Sequence, residues 1–228
     1  KDYKLIGSNT DGLGFVSSIA TLLNSNLEEF CLGNKAIIFG TGGAAKACAV
    51  YLSKSLGKDG KIFIVGRKED KINSLVDKCR NYSQASALSL NEIAKILPTV
   101  QILVNATSLG YENDCFELFT PLGPTPDNFP NNSNSESKEE WTAKTQSILV
   151  QNFSSTINNL NKLNKKCLVV DVVYQPPQTM LLKLAKFYKI KTFTGETMNL
   201  LQAAFGFIKA FDQYENKFEE IRNIMKSC

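Results

Sequence analysis

Gly40-Thr41-Gly42-Gly43-Ala44-Ala45 has the spacing of a turn that cradles phosphates. The first glycine permits a tight turn, the second leaves room for a pyrophosphate, and Ala45 lets a following helix pack on the preceding strand. Backbone N–H groups at that helix start would then face the phosphates. Small residues also serve ordinary tight turns; an apolar strand before this one and a second strand after it favour dinucleotide binding. That second strand ends in Val65-Gly66-Arg67-Lys68, where a site for NAD would usually put an acid on the ribose 2′-hydroxyl. Arg67, with Lys68 or Lys71, suits a 2′-phosphate instead, so NADP is the expected cofactor. The plainer alternative is a set of solvated cations at a helix start, partly offset by Glu69 and Asp70.

Other chemistry is narrowed by what the chain lacks. There is no histidine among 228 residues, which removes the commonest general base and excludes serine-histidine or cysteine-histidine hydrolysis. The six cysteines lie far apart with no CxxC pair, so neither structural zinc, nor any other metal site, nor a disulfide framework is expected. A formal charge of +4, with the cations scattered, gives no footprint for nucleic acid. No segment approaches a membrane-spanning apolar run, and a cytoplasmic location is the default expectation. One carboxylate stands out: Asp11, in Asn9-Thr10-Asp11-Gly12. By spacing alone it reads as the N-cap of an apolar-periodic helix.

The elements that must position these residues alternate. Lys35 to Phe39, Lys61 to Val65, Gln101 to Asn105, Lys166 to Asp171 and Ile190 to Phe193 read as strands. Helices are expected from Gly43 to about Leu56, across Ile72, Leu75, Val76 and Cys79, from Met180 to Tyr188, and from Glu196 to about Met225. Strands alternating with helices imply an α/β parallel sheet, and polar groups at its strand ends are where such sheets bind ligands. Tyr3 to Gly7 reads as an extended lead, followed by a helix through Leu13, Val16, Ile19 and Leu23. The stretch from Tyr111 to about Lys165, rich in Pro, Asn and Ser, reads as a surface insertion with a mobile centre.

Four further segments, in order around the glycine turn, resemble the shikimate dehydrogenases. They are Asn9-Thr10-Asp11-Gly12; Asn105-Ala106-Thr107-Ser108-Leu109-Gly110; Asp171-Val172-Val173-Tyr174 with Pro176 and Thr179; and Gly195 through Met198 to Gln202-Ala203-Ala204. The resemblance implies a Rossmann-like doubly wound parallel sheet with an N-terminal connector helix and a long C-terminal helix. It implies an NADP-dependent oxidoreductase of aromatic amino acid and chorismate biosynthesis, interconverting 3-dehydroshikimate and shikimate. Asp11 is then the catalytic aspartate against the substrate hydroxyls, which reverses the cap reading. Tyr174 and Gln202 would contact substrate, and Val172 and Gly195 would lie near the nicotinamide. Asn105, Thr107 and Ser108 would pass the cofactor beside Gly40, Thr41, Gly42, Gly43 and Ala44. Read without the resemblance, Tyr174 is a loop aromatic and Asn105 to Ser108 a plain turn. Gln202, among Leu200, Leu201, Ala203, Ala204 and Phe205, needs a partner for its amide in either reading.

The family's catalytic lysine belongs to a substrate domain ahead of the Asn9-Thr10-Asp11-Gly12 segment, and no lysine in residues 1–228 matches its motif. Residues 1–26 are therefore expected to be a connector from a missing N-terminal substrate domain. Residues 27–228 are expected to form the NADP-binding domain, with a flexible insertion near 111–165. The chain by itself should bind NADP(H) with little turnover. Three alternatives accompany this expectation. A quinate dehydrogenase shares most of the motifs. A non-catalytic regulator would resemble the family, though intact Asp11, Gly40, Gly42, Tyr174 and Gln202 argue against it. A glutamyl-tRNA reductase relative accounts for the glycine turn but not for Asp11 together with the Gln202 helix.

Overall fold

The computed structural model describes residues 7–24, 27–112, 116–126 and 138–227. In chain order the elements are α1 (Asp11–Leu23), α2 (Leu27–Cys31), β1 (Lys35–Phe39), α3 (Gly43–Leu56), β2 (Lys61–Val65), α4 (Glu69–Arg80), β3 (Gln84–Ala87) and α5 (Ile93–Ile96). They continue with β4 (Ile102–Asn105), α6 (Lys138–Lys162), β5 (Leu168–Asp171), α7 (Met180–Phe187), β6 (Lys191–Thr194), α8 (Glu196–Ala210) and α9 (Phe218–Ser227). The six strands form one parallel sheet in the order β3-β2-β1-β4-β5-β6. This is the doubly wound order, in which the chain reverses direction between β1 and β4 and opens a crevice at the carboxyl ends of those strands.

Alternation along the strands builds a core on each face. Ala36, Ile38, Ile62, Ile64, Ile102, Val104, Leu168 and Val170 point to one side, beneath α1, α3 and α4. Ile37, Phe39, Phe63, Val65, Leu103 and Val169 point to the other, against α5, α7 and the end of α6. Because both faces are covered, the strands read as continuous apolar runs with no polar alternation, which is why they were visible in the sequence. The register aligns Val65, Phe39, Asn105, Asp171 and Thr194 across the sheet, so five strands end on one line. The strand ends on that line, with the loops and helix starts that follow them, carry every sequence-predicted site residue except Asp11 and Gln202, which lie on α1 and α8.

The structure differs from the sequence expectation in four places. The first is the insertion: Lys138–Lys162, expected to be part of a flexible loop, is a helix of 25 residues, α6. Residues 116–126 lie along it, and residues 113–115 and 127–137 lie outside the described residues, as does most of the expected extended lead at 3–7. Second, the long C-terminal helix is present as α8 but is interrupted: a 3-10 segment, Asp212–Lys217, separates it from α9. That break lets Phe205 stack on Phe218 with ring centroids 4.6 Å apart. Third, β3 and the short helices α2 and α5 were not expected. Fourth, Phe15 and Ile19 of α1 are fully buried, and this helix packs between α3 and α8 as part of the core.

Candidate functional site

β1 delivers the chain to Gly40, whose φ of +113° lies in the region that favours glycine and whose absent Cβ would meet the Ala106 carbonyl at 2.6 Å. Gly40 is thus explained by the turn and by the close approach of the chain leaving β4. Gly42 and Gly43 are not. A Cβ on either would meet nothing within 4 Å, and neither has a positive φ. Gly42 is the N-cap of α3, and no side chain caps that helix start. Bare N–H groups at a helix start, facing open space, form an anion site.

This turn opens into a cavity of about 420 Å³. Gly40, Thr41 and Gly42 line it together with Arg67 and Lys68 after β2, Lys71 from the first turn of α4, and Ala106, Thr107 and Ser108 from the end of β4. Among the described residues, none of the three cations is in an ion pair with Glu69, Asp70 or any other carboxylate. A second hollow, about 280 Å³, shares Ala106, Thr107 and Ser108 with the first and is otherwise lined by Ala44, Tyr111, Val172, Val173 and Tyr174. The two hollows meet at the strand-order reversal, one carrying the cations and the other the residues expected near a nicotinamide. An uncapped glycine turn, open space at Gly42 and Gly43, and cations at the end of β2 together fit a bound dinucleotide.

Asn105 corrects the sequence expectation. It is 0% exposed and lines neither hollow. Its amide donates to the Leu109 carbonyl and to Asp171 Oδ1, both at 2.9 Å, and its Oδ1 accepts from the backbone N–H and hydroxyl of Thr107. With both donors and both acceptor positions used, it fastens the strand-end loop and has nothing left for a ligand. Its partner Asp171, which the sequence reading left without a role, is also 0% exposed. That carboxylate accepts from Asn105, from Val173 N at 3.1 Å and from the Thr179 hydroxyl at 2.7 Å. Burial pushes the Asp171 carboxyl up to about 7 against the opposing pull of these hydrogen bonds. The available signal was an acid ending an apolar strand. Gly195 packs against Val172, whose carbonyl leaves no room for a Cβ, so its place near the second hollow is set by close approach.

Asp11 and Gln202 also lie outside both hollows, in a polar patch where α1 meets α8. The N-cap of α1 is Thr10; Asp11 is the first helical residue and its carboxylate caps nothing. Asn9 accepts from the Asp11 backbone N–H at 3.1 Å and sends its own amide towards Asp11 Oδ2 at 3.4 Å. The Thr10 hydroxyl donates to Gln202 Oε1 at 3.4 Å, and Gln202 Nε2 reaches Asn199 at 3.4 Å. These contacts join two segments that are 192 residues apart in the chain and leave the Asp11 carboxylate half-buried without a structural duty. Tyr174 is 39% exposed at the mouth of the second hollow. Residues of the cavity that the sequence reading missed include Leu90, Phe116, Pro121, Gly123 and Thr125. Their types are ordinary for a loop and gave no signal.

The sequence profile of the shikimate/quinate 5-dehydrogenase family matches residues 22–111. The NADP(+) shikimate dehydrogenase of Bacillus subtilis is 27% identical over 97% of this chain and 63% of its own length. That of Desulforamulus reducens is 28% identical over 97% and 62%. This chain is similar to the shikimate dehydrogenases. Among solved structures, the Listeria monocytogenes shikimate 5-dehydrogenase in complex with shikimate and NAD superposes with a TM-score of 0.66 at 25% identity, over 96% of this chain and 63% of that one. The chain therefore spans about three fifths of the length of the shikimate dehydrogenases it matches. No helix among the described residues is long and apolar enough to cross a membrane.

Proposed function

We propose that this chain is the cofactor-binding part of an NADP-dependent shikimate dehydrogenase, interconverting 3-dehydroshikimate and shikimate. The observation that carries this reading is the cavity at the strand-order reversal, with an uncapped glycine turn at one wall and three cations without an ion pair between the end of β2 and the first turn of α4. Backbone N–H groups of Gly42 and Gly43 would hold the pyrophosphate, and Arg67, Lys68 and Lys71 the 2′-phosphate. When bound, the nicotinamide exchanges a hydride with the substrate carbon. The remaining work falls to the chain's own groups. Ala44, Val172 and Gly195 shape the nicotinamide end, Tyr174 and Gln202 hold substrate, and Asp11 accepts from substrate hydroxyls. The alkoxide that hydride transfer creates also needs a proton donor. The family's lysine supplies it, and no lysine in residues 1–228 stands in that motif.

Isothermal titration of the 228-residue chain should give a dissociation constant for NADP+ well below that for NAD+. Arg67→Ala should weaken NADP+ by about 10- to 100-fold, the value of a charge-assisted hydrogen bond, and leave NAD+ nearly unchanged. Tighter binding of NAD+ would overturn the cofactor assignment. With NADP+ and shikimate supplied, the chain alone should form little NADPH; turnover at the level of the longer relatives would show that the missing lysine is not required.

A further inference from the structure

The inserted segment contributes to the cation-bearing cavity. Residues 120–125 pass between the cavity and α6, turning at 121–123. Pro121, Gly123 and Thr125 line the cavity beside Arg67, Lys68 and Lys71. The backbone at Thr120, Leu122 and Pro124 is held to α6 by a set of buried polar contacts. Asn152, 0% exposed, donates its amide to the carbonyls of Thr120 at 2.9 Å and Pro124 at 3.0 Å, and accepts from Thr120 N at 3.1 Å. The hydroxyls of Thr120 and Thr156 are 2.6 Å apart, and Asn159 donates to the Leu122 carbonyl at 2.8 Å. The fit is close: a Cβ on Gly123 would meet the Asn152 carbonyl at 2.6 Å. A buried asparagine costs free energy unless its hydrogen bonds are made, so this geometry is enforced.

We propose that α6 sets the wall of the adenosine end of the cofactor cavity, with Asn152 as the positioning residue that carries Pro121, Gly123 and Thr125 to the ligand. This rests on the dinucleotide reading of the cavity, since the cations at the end of β2 mark where the adenosine half lies. Asn152 touches no ligand itself; it acts through the backbone it holds.

The test compares the two halves of the cofactor on the 228-residue chain and on Asn152→Ala. Adenosine 2′,5′-bisphosphate is titrated calorimetrically and nicotinamide mononucleotide by ligand-observed NMR. The expected result is bisphosphate binding weakened about tenfold with mononucleotide binding unchanged. Equal bisphosphate affinity in the two proteins overturns the proposal, and so does equal weakening of both ligands, which would mark a general loosening. If the unsubstituted chain binds neither NADP+ nor the bisphosphate, the dinucleotide reading itself fails and takes this proposal with it. Should Asn152→Ala not fold, Thr156→Val keeps the shape of the helix face while removing the two contacts of its hydroxyl, to Thr120 and to the Asn152 carbonyl; a loss of about threefold, confined to the bisphosphate, is then expected, and no loss overturns the proposal.

Discussion

Asp171 sits where the sheet ends and the ligand loops begin, and its protonation should be readable in stability. Its ordinary value is 3.8, and burial raises it in the fold to about 7. Between those values the folded chain holds a proton that the unfolded chain has released, so stability falls as pH rises through the window and levels off above it. Asparagine imitates the protonated acid. Melting temperatures taken from pH 4.5 to 8 should therefore decline more steeply for the unsubstituted chain than for Asp171→Asn, and parallel profiles would remove Asp171 as the cause. Residue by residue, the sequence was informative where a group faces open space and misleading where it does not. Gly42, Arg67 and Thr107 line the cavity. Asn105 stands in an equally good motif, yet it spends its whole hydrogen-bonding capacity inside the protein. Spacing alone does not distinguish the two cases, because both place a polar residue at a strand end.

Among the elements, legibility followed the chemistry of the buried stripe. The strands β1, β2, β4 and β5 are almost wholly apolar and were visible. The helix α6 was not, because several positions of its buried face, Thr145, Asn152 and Thr156, are polar. Together with Trp141 and Leu160 they recur at helical spacing, but hydrophobic periodicity does not register a stripe whose burial depends on hydrogen bonds. The edge strand β3, Gln84–Ala87, contains no large apolar or β-branched residue and pairs only with β2. Packing of α1 on α8 gives a prediction at this scale. A Cβ on Gly14 would lie 2.8 Å from the Gln202 backbone nitrogen, in contact with a helix that has no room to give. Gly14→Ala should cost about 1–3 kcal/mol by overpacking. For a chain of this size that lowers the melting temperature by roughly 2–10 °C. An unchanged melting temperature would mean that the two helices slide apart freely.

For the molecule as a whole, the crevice is a place where folding and binding share one free energy. A ligand that meets only the folded chain, supplied at a hundred times its dissociation constant, adds about 2.7 kcal/mol of stability. NADP+ should accordingly raise the melting temperature by roughly 5–10 °C, and NAD+ at the same concentration by much less. Added salt should shrink the NADP+ shift, since Arg67, Lys68 and Lys71 are all exposed. No shift with either nucleotide would leave the cavity without its proposed occupant.

The contact between Thr10 and Gln202 also has a meaning in time. Phe15 and Ile19 are buried in a core beneath α8, yet Gln202 is added 192 residues after Thr10. At a synthesis rate of about 5–20 residues per second, the first helix emerges from the ribosome roughly 10–40 s before the helix it docks against. Throughout that interval the side of α1 that α8 will cover is open to whatever holds nascent chains, while α3 is already available to cover the other, and the pocket of polar contacts around Asp11 is among the last parts of the molecule to form.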